Sequence, residues 1–324
     1  MFSFKKSKEN LKIHKDLNSI EKIRNPILTV GTFDGVHIGH QSIIERIKDI
    51  AKEKDGESVL LTFHPHPRMV LFPDDDSLKL INTIEEKTAL LENFGLDHVI
   101  TIPFEKEFSR MTPVQYVRDI LVNKIGIHSI VIGYDHHFGR NRQGDLALLK
   151  ELSPLYEFNV EEIPAQDIDE ITVSSTKVRN AILEGQIRVA NGFLGYKFSL
   201  TGKVVPGRKI GRQIGFPTAN IQLLDKHKIV PGDGVYAITG NVKGKTYSGM
   251  LNIGTKPTVD DKGITSIEAH FFDFNLDIYD EIIEITFERK MRDEQKFNNL
   301  EALKSQLITD EELAKRVFRG ENID

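Results

Sequence analysis

The stretch Gly31–His40, GTFDGVHIGH, gathers two histidines and three glycines. Glycine lets backbone approach a ligand closely, and imidazole N–H groups can donate to anionic oxygens. Two further stretches offer the same chemistry. Val173-Ser174-Ser175-Thr176-Lys177-Val178-Arg179 brings hydroxyls and two cations to the start of a short helical pattern that stops at Gly185, a second cradle for phosphate. Gly207-Arg208-Lys209-Ile210-Gly211-Arg212-Gln213-Ile214-Gly215-Phe216-Pro217-Thr218-Ala219-Asn220 interleaves glycines with cations, as a loop folding over phosphates would. It lacks the Gly-Lys-Ser/Thr ending and following helix of a P-loop. Thr218 and Asn220, two apart on an extended chain, point to one side and form an oxygen pair suited to Mg²⁺. Each stretch also has a plainer reading, as a solvated turn, a serine-capped helix or an exposed basic loop.

The elements that must position these residues follow from periodicity. Ile27–Val30 is short, apolar and β-branched enough for a buried strand, and Ile43, Ile44, Ile47, Ile50 and Ala51 share one face of the helix behind the histidines. Ser58–Phe63, His98–Ile102 and Ser129–Ile132 read as further strands. Thr83-Ile84-Glu85-Glu86 is a capping box for a helix ending at Gly95, and Thr112-Pro113 opens another. This β-α alternation predicts a parallel sheet with helices on both faces and ligands at the carboxyl ends of the strands.

At such ends lie Thr62-Phe63-His64-Pro65-His66-Pro67 and Gly133-Tyr134-Asp135-His136-His137-Phe138-Gly139-Arg140. The latter could hold a flavin or a phosphate, or be a solvated loop. The His136–His137 pair lacks the carboxylate spacing of a metal site.

Beyond Gly185 the period changes to two. Tyr196–Val205, Val235–Val242, Lys245–Ile253, Ile267–Phe272 and Glu281–Phe287 predict an antiparallel barrel. Two helices follow, one carrying Leu300, Leu303, Leu307 and Ile308 as its apolar stripe, the next capped at Thr309-Asp310-Glu311-Glu312. The expected domains are residues 1–185 and 186–324.

Bulk composition fits two soluble domains: 324 residues, 39% hydrophobic, 28% charged, net charge -5 and no cysteine. The charge argues against general nucleic-acid binding. Without cysteine there are no disulfides, thiolate nucleophiles or Cys-ligated zinc. No apolar run approaches the ~20 residues of a bilayer span, and the start lacks the apolar core of a secretory signal. A cytoplasmic location is expected.

The histidine turn resembles the nucleotidyltransferase family. Its longer string, with Phe33-Asp34-Gly35, resembles the FMN adenylyltransferase half of bacterial bifunctional FAD synthetases, in which a Ser-Ser-Thr-x-x-Arg string follows. The loop ending Pro217-Thr218-Ala219-Asn220 resembles the riboflavin kinase signature. Pro231–Tyr236, Asn252–Thr258, Ile267–His270 and Met291–Phe297 resemble its companions, in order. The resemblance runs from about Ile27 to Ala314.

It implies a Rossmann-like nucleotidyltransferase domain and a riboflavin kinase barrel, making FMN from riboflavin and then FAD from FMN, with ATP and Mg²⁺. In the first domain it implies ATP at Gly31, Phe33, Asp34, Gly35, His37, His40, Ser174, Ser175, Thr176 and Arg179, with His37 and His40 catalytic, and the flavin at Phe63 and Asp135. In the second it implies ATP at Gly207, Arg208, Gly211, Arg212, Thr218 and Asn220. Metal would lie at Thr218 and Asn220, and riboflavin at Asn220, Glu268 and Arg292, with Glu268 the base. The partners implied are small-molecule substrates, with no nucleic acid and no membrane. His136, Lys256 and Asp280 depart from the family's usual phenylalanine, arginine and glycine. Competing readings keep only one activity, or make the chain a non-catalytic flavin- or RNA-binding protein. The latter would want aromatics interleaved with a basic strand face, which the barrel strands lack.

Overall fold

The computed structural model describes residues 11–133, 136–163, 173–207, 210–256 and 264–322. Contacts divide the chain into two compact units, Met1–Ser175 and Thr176–Asp324. The helix read as closing the first half, Ser175–Leu183, thus falls almost wholly in the second unit.

The first unit is a parallel six-stranded sheet: β1 (Lys12–His14), β2 (Pro26–Val30), β3 (Glu57–His64), β4 (His98–Pro103), β5 (Ser129–Gly133) and β6 (Asn159–Ile163), in the order β1-β4-β3-β2-β5-β6. β2 lies near the middle, flanked by β3 and β5, with every residue buried. Alternation sends its side chains to two cores. Leu28 and Val30 join Val59, Leu61 and Ile100 on one face, and Ile27 joins Leu60 and Val99 on the other.

Helix α1 (Ile38–Glu53) covers the second core with Ile44, Ile47, Ile50 and Ala51. Helix α2 (Ile84–Asn93) adds Leu91 and opens on a complete Thr83–Glu86 capping box. The opposite face carries a π-helix, Tyr116–Ile125, and α3 (Leu146–Tyr156). β1 and β6 are the two strands that sequence periodicity missed.

The second unit opens on α4 (Ser175–Leu183) and α5 (Ile187–Leu194). The sequence reading has no helix over the latter. A closed antiparallel barrel follows: β7 (Ser199–Val205), β8 (Ala219–Leu223), β9 (Gly234–Val242), β10 (Lys245–Lys256), β11 (Ile264–Phe271) and β12 (Ile282–Arg292), closed in the order β10-β11-β8-β7-β12-β9. It therefore has six strands, not five. The extra one, β8, carries Asn220.

Register places Leu251 opposite Tyr236 and Phe287 opposite Ile238, all fully buried, as the barrel's filling. Ala237 and Met250 face outward against α6 (Leu300–Phe318). The two expected terminal helices are this single helix. Thr309 does not cap; its hydroxyl donates to the Ser305 carbonyl within the helix. Leu300 and Ile308, expected in the apolar stripe, are exposed, and Leu307, Ala314, Val317 and Phe318 do the packing.

Asp280, where a glycine was expected, sits in the turn before β12 with φ 63°. That left-handed geometry favours glycine and tolerates aspartate. Its amide donates to the Val204 carbonyl at 2.9 Å, and its carboxylate pairs with Lys203 at 2.7 Å.

Candidate active sites

In the first unit the histidine turn leaves the carboxyl end of β2, where the Gly31 amide donates to the Leu61 carbonyl at 3.0 Å. Phe33 (φ 46°), Gly35 (φ 91°) and Val36 (φ 34°) are all left-handed. For a β-branched valine this is a strained conformation, of a kind that persists where the surroundings impose it. A Cβ on Gly35 would lie 2.8 Å from Ile81 Cδ1, a methyl that could shift, so it is the left-handed φ that favours glycine there.

His37 is the N-cap of α1, and its side chain makes no capping hydrogen bond. Three rings stack across the turn. Phe33 lies over His40 with centroids 4.4 Å apart, and His40 lies over His37 at 3.7 Å. His40 is half-buried, but its Nδ1 is wholly covered and finds no hydrogen-bond partner within the chain. Burial, followed by the charges of His37 and Lys87, holds its pKa well below the ordinary 6.5. At neutral pH His40 is a neutral imidazole.

The Asp34 carboxylate is turned inward, accepting from the amides of Ile81 at 2.9 Å and Asn82 at 3.3 Å. Its carbonyl accepts from Ser175 Oγ at 2.8 Å, which ties the Ser174-Ser175 string to the histidine turn. Thr176 and Arg179 follow along α4.

Phe63, near the end of β3, meets Phe104 at 5.6 Å and Phe108 at 5.7 Å. The string of rings continues through Tyr116 to Phe138. His136 stacks on Phe138 at 6.1 Å, an aromatic contact kept where phenylalanine was expected. Asp135 lies outside the described residues.

In the second unit, strand register assembles the residues. Glu268 on β11 is paired with Asn220 on β8 and with Asn252 on β10. Asn252 is paired with Val235, and Val235 with Arg292. Residues directly opposite in an antiparallel ladder share a face. Asn220, Glu268, Asn252 and Arg292 therefore lie along one row of the barrel's outer surface, on the face that α6 packs against.

Arg292 reaches this row through a break in register between Lys290 and Arg292, the way a bulge re-aims a side chain. Its guanidinium is fixed by the fully buried Asp310 of α6, Nε to Oδ1 at 2.8 Å and Nη2 to Oδ2 at 2.6 Å.

The Asn220 amide fills the space beside Gly207, where a Cβ would lie 2.0 Å from Nδ2. A short helix, Ile210–Gln213, occupies the glycine loop, and the Phe216 amide donates to the Gly211 carbonyl at 2.8 Å. His270 donates from Nδ1 to the Pro217 carbonyl at 2.8 Å, fastening the segment before Thr218 to β11. Beside it opens a cavity of about 480 Å³, lined by Arg212, Thr218, Phe271, Phe274, Asp277 and Tyr279 among others. That volume falls in the range of small-ligand sites. Arg208, Pro257, Thr258 and the Lys256 side chain lie outside what is described.

The structure adds three polar residues that motif reading left without a role. Asn252 lies within a quoted string but gains its place from register. Asp310 stands in a run that reads as a helix cap, and Lys87, buried beneath the histidine turn, lies in the helix expected after Thr83 but has no reading of its own from the sequence.

These two units are a parallel α/β sheet and a closed antiparallel barrel, and comparison with known proteins agrees with both. The family model for FAD synthetase matches residues 19–177, and that for riboflavin kinase matches residues 194–318. Among curated relatives, the bifunctional riboflavin kinase/FMN adenylyltransferase of Buchnera aphidicola subsp. Schizaphis graminum is 36% identical, over 95% of this chain and 99% of its own. Its namesake from Pseudomonas fluorescens is 37% identical, over 89% of this chain and 91% of its own. The chain belongs to the bifunctional riboflavin kinase/FMN adenylyltransferase family.

A crystal structure described as a macrolide-efflux protein from Streptococcus pneumoniae superposes with a TM-score of 0.84 at 29% identity, covering 94% of this chain and 98% of that one. Among the described residues of the present chain, no helix is long and apolar enough to cross a membrane.

Proposed function

We propose that each unit carries one of the two reactions at the residues assembled above, the barrel phosphorylating riboflavin and the parallel sheet adenylylating the resulting FMN. The observation that carries the residue assignment is the pairing of Glu268 with Asn220. It puts a carboxylate beside the loop that would hold ATP.

In the kinase reaction the riboflavin 5′-hydroxyl gives its proton to Glu268, its oxygen bonds to the γ-phosphorus, and the bond to the β-phosphate oxygen breaks to release ADP. Thr218 and Asn220 offer a hydroxyl and an amide carbonyl. These neutral oxygen donors fit Mg²⁺ shared with phosphates, and the close seat of Asn220 against Gly207 fixes one of them. Bound there, Mg²⁺ would neutralise phosphate charge. Gly207, Gly211 and Arg212 take the phosphate side, with Arg208 assigned there by the resemblance alone, and the large cavity beside Thr218 takes the nucleoside. Arg292 holds the flavin.

In the adenylyl transfer an FMN phosphate oxygen attacks the α-phosphorus of ATP and pyrophosphate leaves. No protein nucleophile is needed, so positioning and charge neutralisation do the work. His37 and His40 face the triphosphate at the start of α1, where helix N–H groups favour anions. His40, being neutral, donates a hydrogen bond and no formal charge. Ser174, Ser175, Thr176 and Arg179 receive the pyrophosphate, and Phe63 with Asp135 takes the flavin. Gly31, Phe33, Asp34 and Gly35 shape the turn, with Asp34 holding Ile81 and Asn82 in place. The proposed location is the cytoplasm, where ATP is available.

Isotope tracing tests this. With riboflavin, Mg²⁺ and ATP, γ-phosphate label is expected in FMN and α-phosphate label in FAD only. Glu268→Ala is expected to remove the γ-label transfer, leaving the α-label transfer only when FMN is supplied directly, and His40→Ala is expected to remove the α-label transfer alone. If both variants keep both transfers, the assignment of residues is wrong.

A further inference from the structure

Lys87 is a buried lysine whose position is costly to a folded chain. It is 7% exposed, inside a core where its helix neighbour Leu91 is fully buried. It lies in the opening turns of α2, where the positive end of the helix dipole disfavours a cation. Burial pushes its pKa down to about 8, with Asp34 the opposing charge. Its hydrogen-bond acceptors are neutral: the Thr32 carbonyl at 3.0 Å and Thr62 Oγ1 at 3.1 Å. A group paying desolvation and dipole costs for neutral partners is poorly explained by stability alone.

Its surroundings supply another reason. Thr32 belongs to the histidine turn, and Thr62 immediately precedes Phe63. Thr62 Oγ1 itself donates to the Thr32 carbonyl at 3.3 Å, so three groups close a small ring between β2 and β3. A cavity of about 20 Å³, room for a single water or oxygen atom, opens there and is lined by Thr32, Asp34, Phe63, His64, Asn82 and Lys87 among others. The ammonium thus lies between the turn that would grip ATP and the strand end that would present FMN.

We propose that Lys87 is a positioning residue of the adenylyl-transfer site: its buried ammonium locks the histidine turn to the flavin-side end of β3 and sets a fixed positive charge behind the meeting point of two anionic substrates. The inference rests on the reading that the Gly31–His40 turn is the adenylyl-transfer site. A preorganised charge in a water-poor setting acts on developing phosphate charge without reorganising during the reaction. The same charge repels a proton from His40, whose other charged neighbour is His37 on its own turn. Lys87 therefore helps keep His40 a neutral donor.

The test uses the full chain with Lys87→Met, which keeps the bulk and removes the charge, and Lys87→Arg, which keeps the charge. Melting curves check that each variant folds, and FMN formation from riboflavin is the internal control. For Lys87→Met, kcat for FAD formation is expected to fall on the order of 10²-fold or more, with KM for ATP and FMN within about threefold and kinase activity unchanged. The acid limb of its kcat profile is expected to move to higher pH, because His40 then protonates more readily. Lys87→Arg is expected to keep the limb at its wild-type position and to recover at least about tenfold of the lost kcat.

A folded Lys87→Met with near-wild-type kcat, a loss carried wholly by KM, or an unmoved acid limb overturns the proposal. If Lys87→Met does not fold, Lys87→Arg decides: a limb that shifts although the charge is retained overturns it, and one that stays while kcat falls supports it. A separate outcome, FAD formation surviving His40→Ala, would overturn the underlying reading of the turn instead.

Discussion

Arg292 and Asp310 meet through two parallel hydrogen bonds, at 2.8 and 2.6 Å, that join the last barrel strand to the terminal helix. Asp310 is fully buried and also accepts from Gln306 Nε2, one turn earlier, at 2.9 Å. The remaining terminal nitrogen of Arg292, Nη1, donates to the Asp293 carbonyl at 2.9 Å. Bidentate geometry of this kind fixes a guanidinium plane as well as a charge. An arginine so held can present one edge to a flavin without losing side-chain entropy on binding.

Asp310→Ala breaks this arrangement and leaves the Arg292 charge half-buried without its partner. A loss of about 3 kcal/mol is expected, from the cost of removing one member of a buried pair and discounted for the partial exposure of Arg292. Thermal melting measures that loss. If Arg292 holds the flavin, KM for riboflavin is also expected to rise about tenfold while KM for ATP changes little. Equal rises in both would mean that α6 docking, not Arg292 placement, had been lost.

Glu268→Gln keeps the size and strand register of the row Asn220–Glu268–Asn252 and removes the base. Kinase kcat is expected to fall by roughly 10²- to 10⁴-fold with little change in KM. FMN supplied directly is still converted to FAD. Near-normal FMN formation in a steady-state assay would exclude the base role.

Gly207→Ala tests the seat of Asn220. The backbone there is not left-handed, so the expected effect is steric: the new Cβ would sit 2.0 Å from Nδ2 and 2.8 Å from Oδ1 of Asn220. The amide must move, and a displacement near 1 Å at a reacting site can cost on the order of 10²-fold. Kinase activity measured against Mg²⁺ concentration should show both a lower maximum and a weaker apparent metal affinity, with FAD formation from FMN unaffected.

The parts of this fold that were legible in sequence are those whose pattern is local. β2, the histidine turn and α1 carry an apolar run, glycines and a helical stripe in one continuous stretch. The capping box at Thr83 involves residues three apart and forms as expected, and the helix expected at Thr112-Pro113 starts there, with a capping box of its own between Thr112 and Gln115. What escaped was set by distant partners. β8 buries only Ile221 and is half polar, so alternation could not mark it; pairing with β7 and β11 makes it a strand. β1 and β6 are edge strands with polar residues, held by β4 and β5. Asp310 stands in a run that reads as a helix cap, and only Arg292, on another element, explains its burial. The row through Asn220, Glu268, Asn252 and Arg292 exists only once the register is known, because its members come from four strands.

His40 gives a prediction about pH. Its pKa in the folded chain lies well below 6.5, from burial first and then from the charges of His37 and Lys87. The unfolded chain, with an ordinary imidazole, takes up the proton first as the pH falls, so protonation favours unfolding. The contribution of neutral His40 to stability is therefore complete above about pH 6.5 and is lost as pH drops from there toward the depressed folded value. Denaturant titrations at a series of pH values should show the free energy of unfolding declining over that window in the wild type, and declining less steeply in His40→Gln, which cannot titrate. Identical slopes for the two proteins would mean that His40 is as easily protonated in the folded chain as in the unfolded one, and that the stacked rings of Phe33, His40 and His37 do not exclude charge from the turn.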